Sequence, residues 1–490
     1  MSPTLSRFIA YLIVLLGALP STTVLGQEKH ISEDVKYVIQ IEKKLDEYTA
    51  DQLTTRRFKP ADLEPLFRAL PPAFSVAVAG HSVAGRPIRR VTWGHGPVEV
   101  LLWSQMHGDE PTATAALFDL FNILGGGNDG LDSLRTLLDS TLHLTFLPML
   151  NPDGAQRFER RNALGIDLNR DALHLTSPEA RLLKAERDRL DADWGFNLHD
   201  QGVYYSAGFP AEKGCVLSIL APAFDWAKTM SPKRTDAAKL IALMDELWQQ
   251  RVPGQVGRYN DDFEPRAFGD NLQRWGTRTV LIESGGYPGD PEKQEIRKLN
   301  VLALVYGLHA IATGAYHDFT LDDYFAIPEN ESNGMHAVIL ERARVERGDT
   351  TYVLDIGFRV REENLGDAAR DYTATGFVSD LGDLSTFGAF ARVDLDSMRV
   401  KPGRLYPATL SLAEARKLDV AKLHRQGYTA VRLERAVPAG TGPEGLRLLG
   451  PRERLREEVA YGASADLLVY DAEDRLVITV INGHLTDLRQ

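Results

Sequence analysis

The sequence predicts an α/β fold: a mostly parallel or mixed twisted sheet with helices on both faces, followed by a smaller β-rich C-terminal domain. Three observations predict it. Short apolar runs alternate with longer helical patterns between about residues 71 and 317, which is how parallel strands and their crossover helices read. After about Ala315 the texture changes to Val, Thr, Arg and Gly with frequent turn residues. The chain is also long enough, at 490 residues and 43% hydrophobic, to bury more than one core.

Taken in order, the first element is a secretory signal over residues 1–26. Arg7 precedes the apolar stretch "FIAYLIVLLGALP" from Phe8 to Pro20, and Val24 and Gly26 offer small-residue cleavage positions before Gln27. The run is short for a membrane span. It points to an exported protein, periplasmic or secreted, with no membrane contact beyond this segment. Cys215 is the only cysteine, so no intrachain disulfide can form and stability must come from a core or a bound metal.

Residues 27–70 are expected to form a helical extension, since "EDVKYVIQIEKKLDEY" repeats apolar residues at three- and four-residue spacing. Residues 71–317 carry the main domain. There "VEVLLWS", "LHLTFLPML" and "TRTVLIES" are strands, while "TATAALFDLFNIL", stopped by Gly125 to Gly127, and "DAAKLIALMDELWQ" are helices. Residues 318–490 form the β-rich domain, with strands expected in "TYVLDIGFRV", "TAVRLERAV", "ADLLVYDA" and "LVITVINGHL". The stretch "GASADLLVYDAEDRLVITVINGHL" resembles the closing strands of amidohydrolase-type β-sandwich subdomains.

Charge narrows the function. With 68 acidic against 56 basic residues the net charge is −12. No basic surface is available to hold nucleic acid through its phosphates.

The chemistry gathers at strand ends. "WSQMHGDEPT" places His107 and Glu110 three residues apart directly after a strand, a spacing that lets both side chains reach one metal ion. Alone, the pair could equally be a charged loop. "WGFNLHDQG" puts His199 at the end of another strand, at the edge where open α/β sheets collect ligands. Between them, "NPDGAQRFERRNALGIDLNRD" is dense in polar groups: Asn151 to Gly154 read as a turn, and Asn169-Arg170 could present a guanidinium fork to a carboxylate. Glu283 ends the strand "TVLIES" as either a capped, exposed group or a general base.

The order His-x-x-Glu, Asn-Pro-Asp-Gly, Arg, Asn-Arg, His, Glu, over about Pro71 to Ala315, resembles the zinc metallocarboxypeptidases of the carboxypeptidase A-like family. The phrase "GHSVAGRPIRRVTWGHG" resembles bacterial members. The resemblance implies one Zn²⁺ per chain held by His107, Glu110 and His199, Glu283 as general base and then acid, and Arg160 on the oxyanion, with Arg161 as the neighbouring match. It implies that Asn169 and Arg170 hold the free C-terminal carboxylate of a peptide substrate. For the substrate-capping tyrosine it leaves Tyr259, with Tyr204 and Tyr205 as rivals.

Asp200 departs from the pattern, since many relatives have a small residue there. Its charge could raise ligand basicity, favour a cationic substrate, or bond to the loop. Two other functions stay open: a zinc deacylase or amidase acting on N-acyl amino acids or cell-wall peptides, and a non-catalytic binding module. The second would not need Glu283.

Overall fold

The computed structural model describes residues 33–489, so the expected secretory signal lies outside the described residues. Its first sheet is built from β1 (Ser75–His81), β2 (Pro87–Trp93), β3 (Val98–Ser104), β4 (Leu142–Leu147), β5 (Trp194–Asp200), β7 (Leu217–Leu220), β8 (Val256–Arg258) and β9 (Arg278–Ser284); β6 (Ser206–Ala207) stands apart. Strand order is β1-β2-β4-β3-β5-β9-β7-β8. The central block β4-β3-β5-β9 is parallel, whereas β2 joins β4 and β7 joins β9 antiparallel. The sheet is therefore mixed, with its parallel strands in the middle.

Those central strands are buried on both faces, which is why they read as unbroken apolar runs and not as alternation. One face carries the larger core. Val100, Leu102, Phe196, Leu198, Val280 and Ile282 meet the helices Thr112–Gly125, Pro232–Gln249 and Gln294–Thr313 there. The other face is smaller: Leu101 and Trp103 pack beneath the helices Pro178–Leu190 and Phe268–Arg274. Because strand side chains alternate, His199 and Glu283 fall on this second face.

Local signals explain where helices begin. Ser231, Ser177 and Asn151 each accept a backbone N–H through their side chains, and each precedes a proline whose missing donor costs nothing in a first turn. Gly126 ends the helix that Gly125 to Gly127 was expected to stop.

Both ends of the first core reach beyond the bounds read from the sequence. The helices Glu33–Lys43 and Pro60–Ala69 contribute Val38, Ile41, Leu63 and Phe67 to the larger core, so the expected extension is packed into it. At the other end Tyr324 and Ile327 belong to the same core, past Asp318. The Tyr324 hydroxyl accepts from the Ala221 N–H at 3.2 Å, anchoring a helix too short to show periodicity.

After β10 (Asn330–Glu331), which pairs with β6, the chain forms a second sheet. It contains β11 (Met335–Arg347), β12 (Thr350–Leu365), β13 (Asp371–Gly382), β14 (Gly388–Asp394) and β15 (Arg399–Pro402). A small parallel sheet of β16 (Arg404–Leu410), β17 (Tyr428–Leu433) and β18 (Arg447–Leu449) intervenes. The second sheet then resumes with β19 (Leu467–Tyr470), β20 (Leu476–Ile481) and β21 (His484–Asp487) as an antiparallel meander. No helix among the described residues is long and apolar enough to cross a membrane.

Asp153 ties the Asn-Pro-Asp-Gly turn to the β1–β2 turn. Its buried carboxylate accepts from Ser82 Oγ at 2.9 Å, the Ala84 N–H at 2.9 Å and Arg86 Nη1 at 2.6 Å. Asp153→Ala strands three donors, and the expected loss is on the order of 2–3 kcal/mol, measured as a lowered midpoint of chemical denaturation.

Candidate active site

Register assembles the site. In the parallel pairs Ser104 lies opposite Leu198 and His199 opposite Glu283, so the ends of β3, β5 and β9 share one edge. His107 and Glu110 follow β3 in the loop that leads into the helix from Thr112. Gly108 lets that loop settle on the Asn-Pro-Asp-Gly helix: a Cβ there would lie 2.0 Å from the Gly154 carbonyl carbon. Only glycine permits so close an approach.

Glu110 stands between two imidazoles. Its Oε1 is 2.7 Å from His107 Nδ1 and its Oε2 is 2.7 Å from His199 Nδ1, with all three residues buried. Arg160 Nη1 lies 3.1 Å from His107 Nδ1, and on the far side of the ring the Asp167 carboxylate can only accept, so a ring proton sits on Nε2. Nε2–H then donates to Asp167 Oδ1 at 3.1 Å. A ring nitrogen and a carboxylate oxygen held 2.7 Å apart call for a proton or a cation between them.

The titration shifts follow from this crowding. Burial lowers the His107 pKa, but the Glu110 charge and the hydrogen bonds to Asp167 and Glu110 outweigh it and lift it to about 9. Burial also dominates at His199 and lowers it. For Glu110, burial works upward but the two imidazoles hold it below the usual carboxylate range. Glu283 is pushed well above that range, first by burial and then by the Glu110 charge. A cation beside Glu110 would reverse that second effect.

The ligand atoms of His107, Glu110 and His199 lie within 4.8 Å of one another. Two imidazoles and a carboxylate are a zinc donor set. His199 Nε2 is buried with no hydrogen-bond partner, so protein hydrogen bonds leave that ring incompletely satisfied. The residues present fit a metal ion.

Around this group the other expected residues divide. Arg160 is close, bonding Glu110 Oε1 at 3.3 Å and Asp167 Oδ2 at 3.0 Å as well as His107. Arg161 is not: it is exposed and donates to the Gly165 carbonyl. Tyr259 feels the Glu283 charge and stacks on Tyr205 with ring centres 6.1 Å apart; burial first, then Glu283, raises its pKa. Tyr204 turns away, its hydroxyl engaged by Val360. The Asn169 side chain accepts from the Phe268 N–H at 2.8 Å, fixing the start of the helix Phe268–Arg274. Arg170 is partly exposed and pairs with Glu264 at 3.3 Å.

One feature was missed in the sequence and another was left open. Asp167 sat inside "GIDL" and read only as part of a polar loop, yet it orients His107 and Arg160 together. Asp200 reads differently in the fold: Lys293 Nζ lies 3.2 Å from its Oδ2 and Thr112 Oγ1 donates to the same oxygen at 2.5 Å. Of the three readings its charge allowed, bonding to the surrounding structure is the one realised, and its charge is matched by Lys293.

Residues 62–189 match the profile of the family described as zinc carboxypeptidase. The matched segment is about a quarter of the chain and is similar to zinc carboxypeptidases. The match stops short of Tyr259 and of His199 and Glu283, which the sheet register brings to the same edge. Carboxypeptidase SOL1 of Arabidopsis thaliana is 35% identical over 98 residues, covering 19% of this chain and 20% of that protein. The aligned part thus spans about a fifth of that relative's length. Among solved structures, a metallo-carboxypeptidase from Burkholderia cenocepacia aligns over 53% of this chain and 70% of its own at 18% identity, TM-score 0.43. Carboxypeptidase A from Helicoverpa armigera aligns over 58% and 82% at 16% identity, TM-score 0.41.

Because Asp167 fixes the His107 proton on Nε2, Asp167→Asn is expected to weaken zinc binding about 10- to 100-fold. Competition against a zinc chelator measures it, and circular dichroism checks that the fold is retained.

Proposed function

We propose that the chain is a zinc-dependent peptidase that releases the C-terminal residue of a peptide with a free carboxylate. The observation that carries the reading is the buried His107–Glu110–His199 group with Glu283 directly opposite His199 on the neighbouring strand. These three side chains would hold one Zn²⁺ per chain, which supplies Lewis-acid polarisation and an acidified water.

The protein's own groups do the rest. Glu283, half-buried at a strand end, takes a proton on its carboxylate and returns it to the leaving amine. Arg160 is anchored through Nε to Asp167, so its guanidinium is held in place to donate to a developing oxyanion. Arg170 binds the terminal carboxylate and Asn169 sets its loop. Tyr259, beside Glu283, covers the substrate. Export to a periplasmic or extracellular space is part of the proposal, supported by Arg7, the apolar run Phe8 to Pro20 and the single cysteine.

One observation favours a second reading. Glu264, which Arg266 engages more closely, also pairs with Arg170 and compensates it in part, so the fork is not a bare positive charge awaiting a carboxylate. An amidase or deacylase acting on blocked peptides or N-acyl amino acids would have less need of it.

Paired free-acid and amidated peptides separate the two. For the carboxypeptidase, hydrolysis is confined to the free acid, and Arg170→Ala raises its KM about tenfold to a hundredfold, the loss of a charge-assisted pair worth about 1.5–3 kcal/mol. Equal turnover of both peptides points to the amidase. Glu283→Gln is expected to lower kcat by about 10²-fold or more with zinc content unchanged, whereas His199→Ala loses the metal. Metal loss in the first variant, read by elemental analysis, would remove Glu283 from the base role.

A further inference from the structure

The β-rich domain meets the main domain at both walls of the candidate site, and β12 takes part on each side. On one side β12 presents Val360, whose N–H donates to the Tyr204 hydroxyl at 2.7 Å while its carbonyl accepts from the same hydroxyl at 3.2 Å. The Arg359 guanidinium lies 5.4 Å from the centre of the Tyr204 ring. The Met335 N–H of β11 donates to the Tyr204 carbonyl at 3.1 Å. Tyr204 is thereby held by side chain and backbone alike. Its neighbour Tyr205 faces the site, stacked on Tyr259.

On the other side, four residues further along β12, Asn364 Nδ2 donates to the Arg157 carbonyl at 3.0 Å and the Phe158 carbonyl at 3.1 Å. Arg57 Nη1 closes on Asn364 Oδ1 at 2.5 Å and lies over the Phe158 ring, 4.0 Å from its centre. Phe158 occupies the left-handed region at φ 51°, a conformation that costs a non-glycine residue energy unless its surroundings impose it. Two residues on comes Arg160.

We infer that β12 is a positioning element of the active cleft: through Val360 it sets the loop bearing Tyr205 and Tyr259's stacking partner face, and through Asn364 it sets the turn that delivers Arg160. The inference rests on the peptidase reading for its kinetic consequences, although not for its structural ones. The two ties act on different parts of the site. Releasing the Tyr204 side loosens the wall that covers the substrate, whereas releasing the Asn364 side moves the oxyanion donor.

The test uses the full chain with Tyr204→Phe and, separately, Asn364→Asp. The first removes only the hydroxyl. The second keeps size and the Arg57 contact but replaces the two N–H donors with an oxygen facing two carbonyls. Tyr204→Phe is expected to raise KM about tenfold with kcat within about twofold, and Asn364→Asp to lower kcat about tenfold with KM little changed, both at wild-type zinc content. Amide hydrogen exchange supplies a readout that needs no substrate: protection should fall at residues 201–208 in the first variant and at 157–162 in the second.

Unchanged exchange at those two segments, or KM and kcat falling in parallel with zinc content in both variants, would overturn the inference and leave β12 as packing. Should the wild-type chain hydrolyse neither peptide, the peptidase reading falls while the exchange data still decide whether β12 holds the two loops.

Discussion

One carboxylate shared between two imidazoles organises this molecule's chemistry. Glu110 faces His107 with one oxygen and His199 with the other, and burial removes the water that would otherwise screen all three. Such an arrangement is unfavourable unless a positive charge accompanies it. The neighbours are therefore placed to manage charge: Arg160 and Asp167 beside His107, Lys293 against Asp200, and Glu283 pushed toward its neutral form. Each answers a demand set by the central group.

The sheet makes the sharing possible. His107 and Glu110 are separated from His199 by about a fifth of the chain, and Glu283 is further still, yet parallel pairing fixes their separations to those of adjacent strands. A shift of one residue in β5 or β9 would send His199 or Glu283 into the larger core on the opposite face. The apolar residues that alternate with them, Leu198 and Ile282, hold the register by having nowhere else to go.

Much of this was legible in the chain. Continuous apolar strands and the strand-end positions of His107, His199 and Glu283 are local signals, and local signals survive in sequence, whereas Asn151 to Gly154, read as a turn, open a helix of six residues. What stayed hidden depends on partners distant along the chain. Asp167 looked like one polar residue among many because its importance lies in reaching His107 and Arg160 at once. Asp200 looked like an excess charge because Lys293, its partner, is visible only after the helix from Gln294 has packed. Arg160 and Arg161 could not be separated by spacing; Arg160, two residues past the left-handed Phe158, is the one that reaches His107, Glu110 and Asp167. The reach of the first core to Tyr324 and Ile327 was equally silent, since a helix of six residues carries too few turns for a pattern.

The contact between Gly108 and Gly154 has a kinetic side. Two backbones pressed together with no side chain between them form a joint without slack, linking the metal-ligand loop to the helix whose end leads to Arg160. Neither can drift while the other stays. Thermal opening of this joint would release the His107–Glu110 loop and the turn bearing Arg160 in a single event, so on heating the two segments would open with one rate constant and one activation enthalpy.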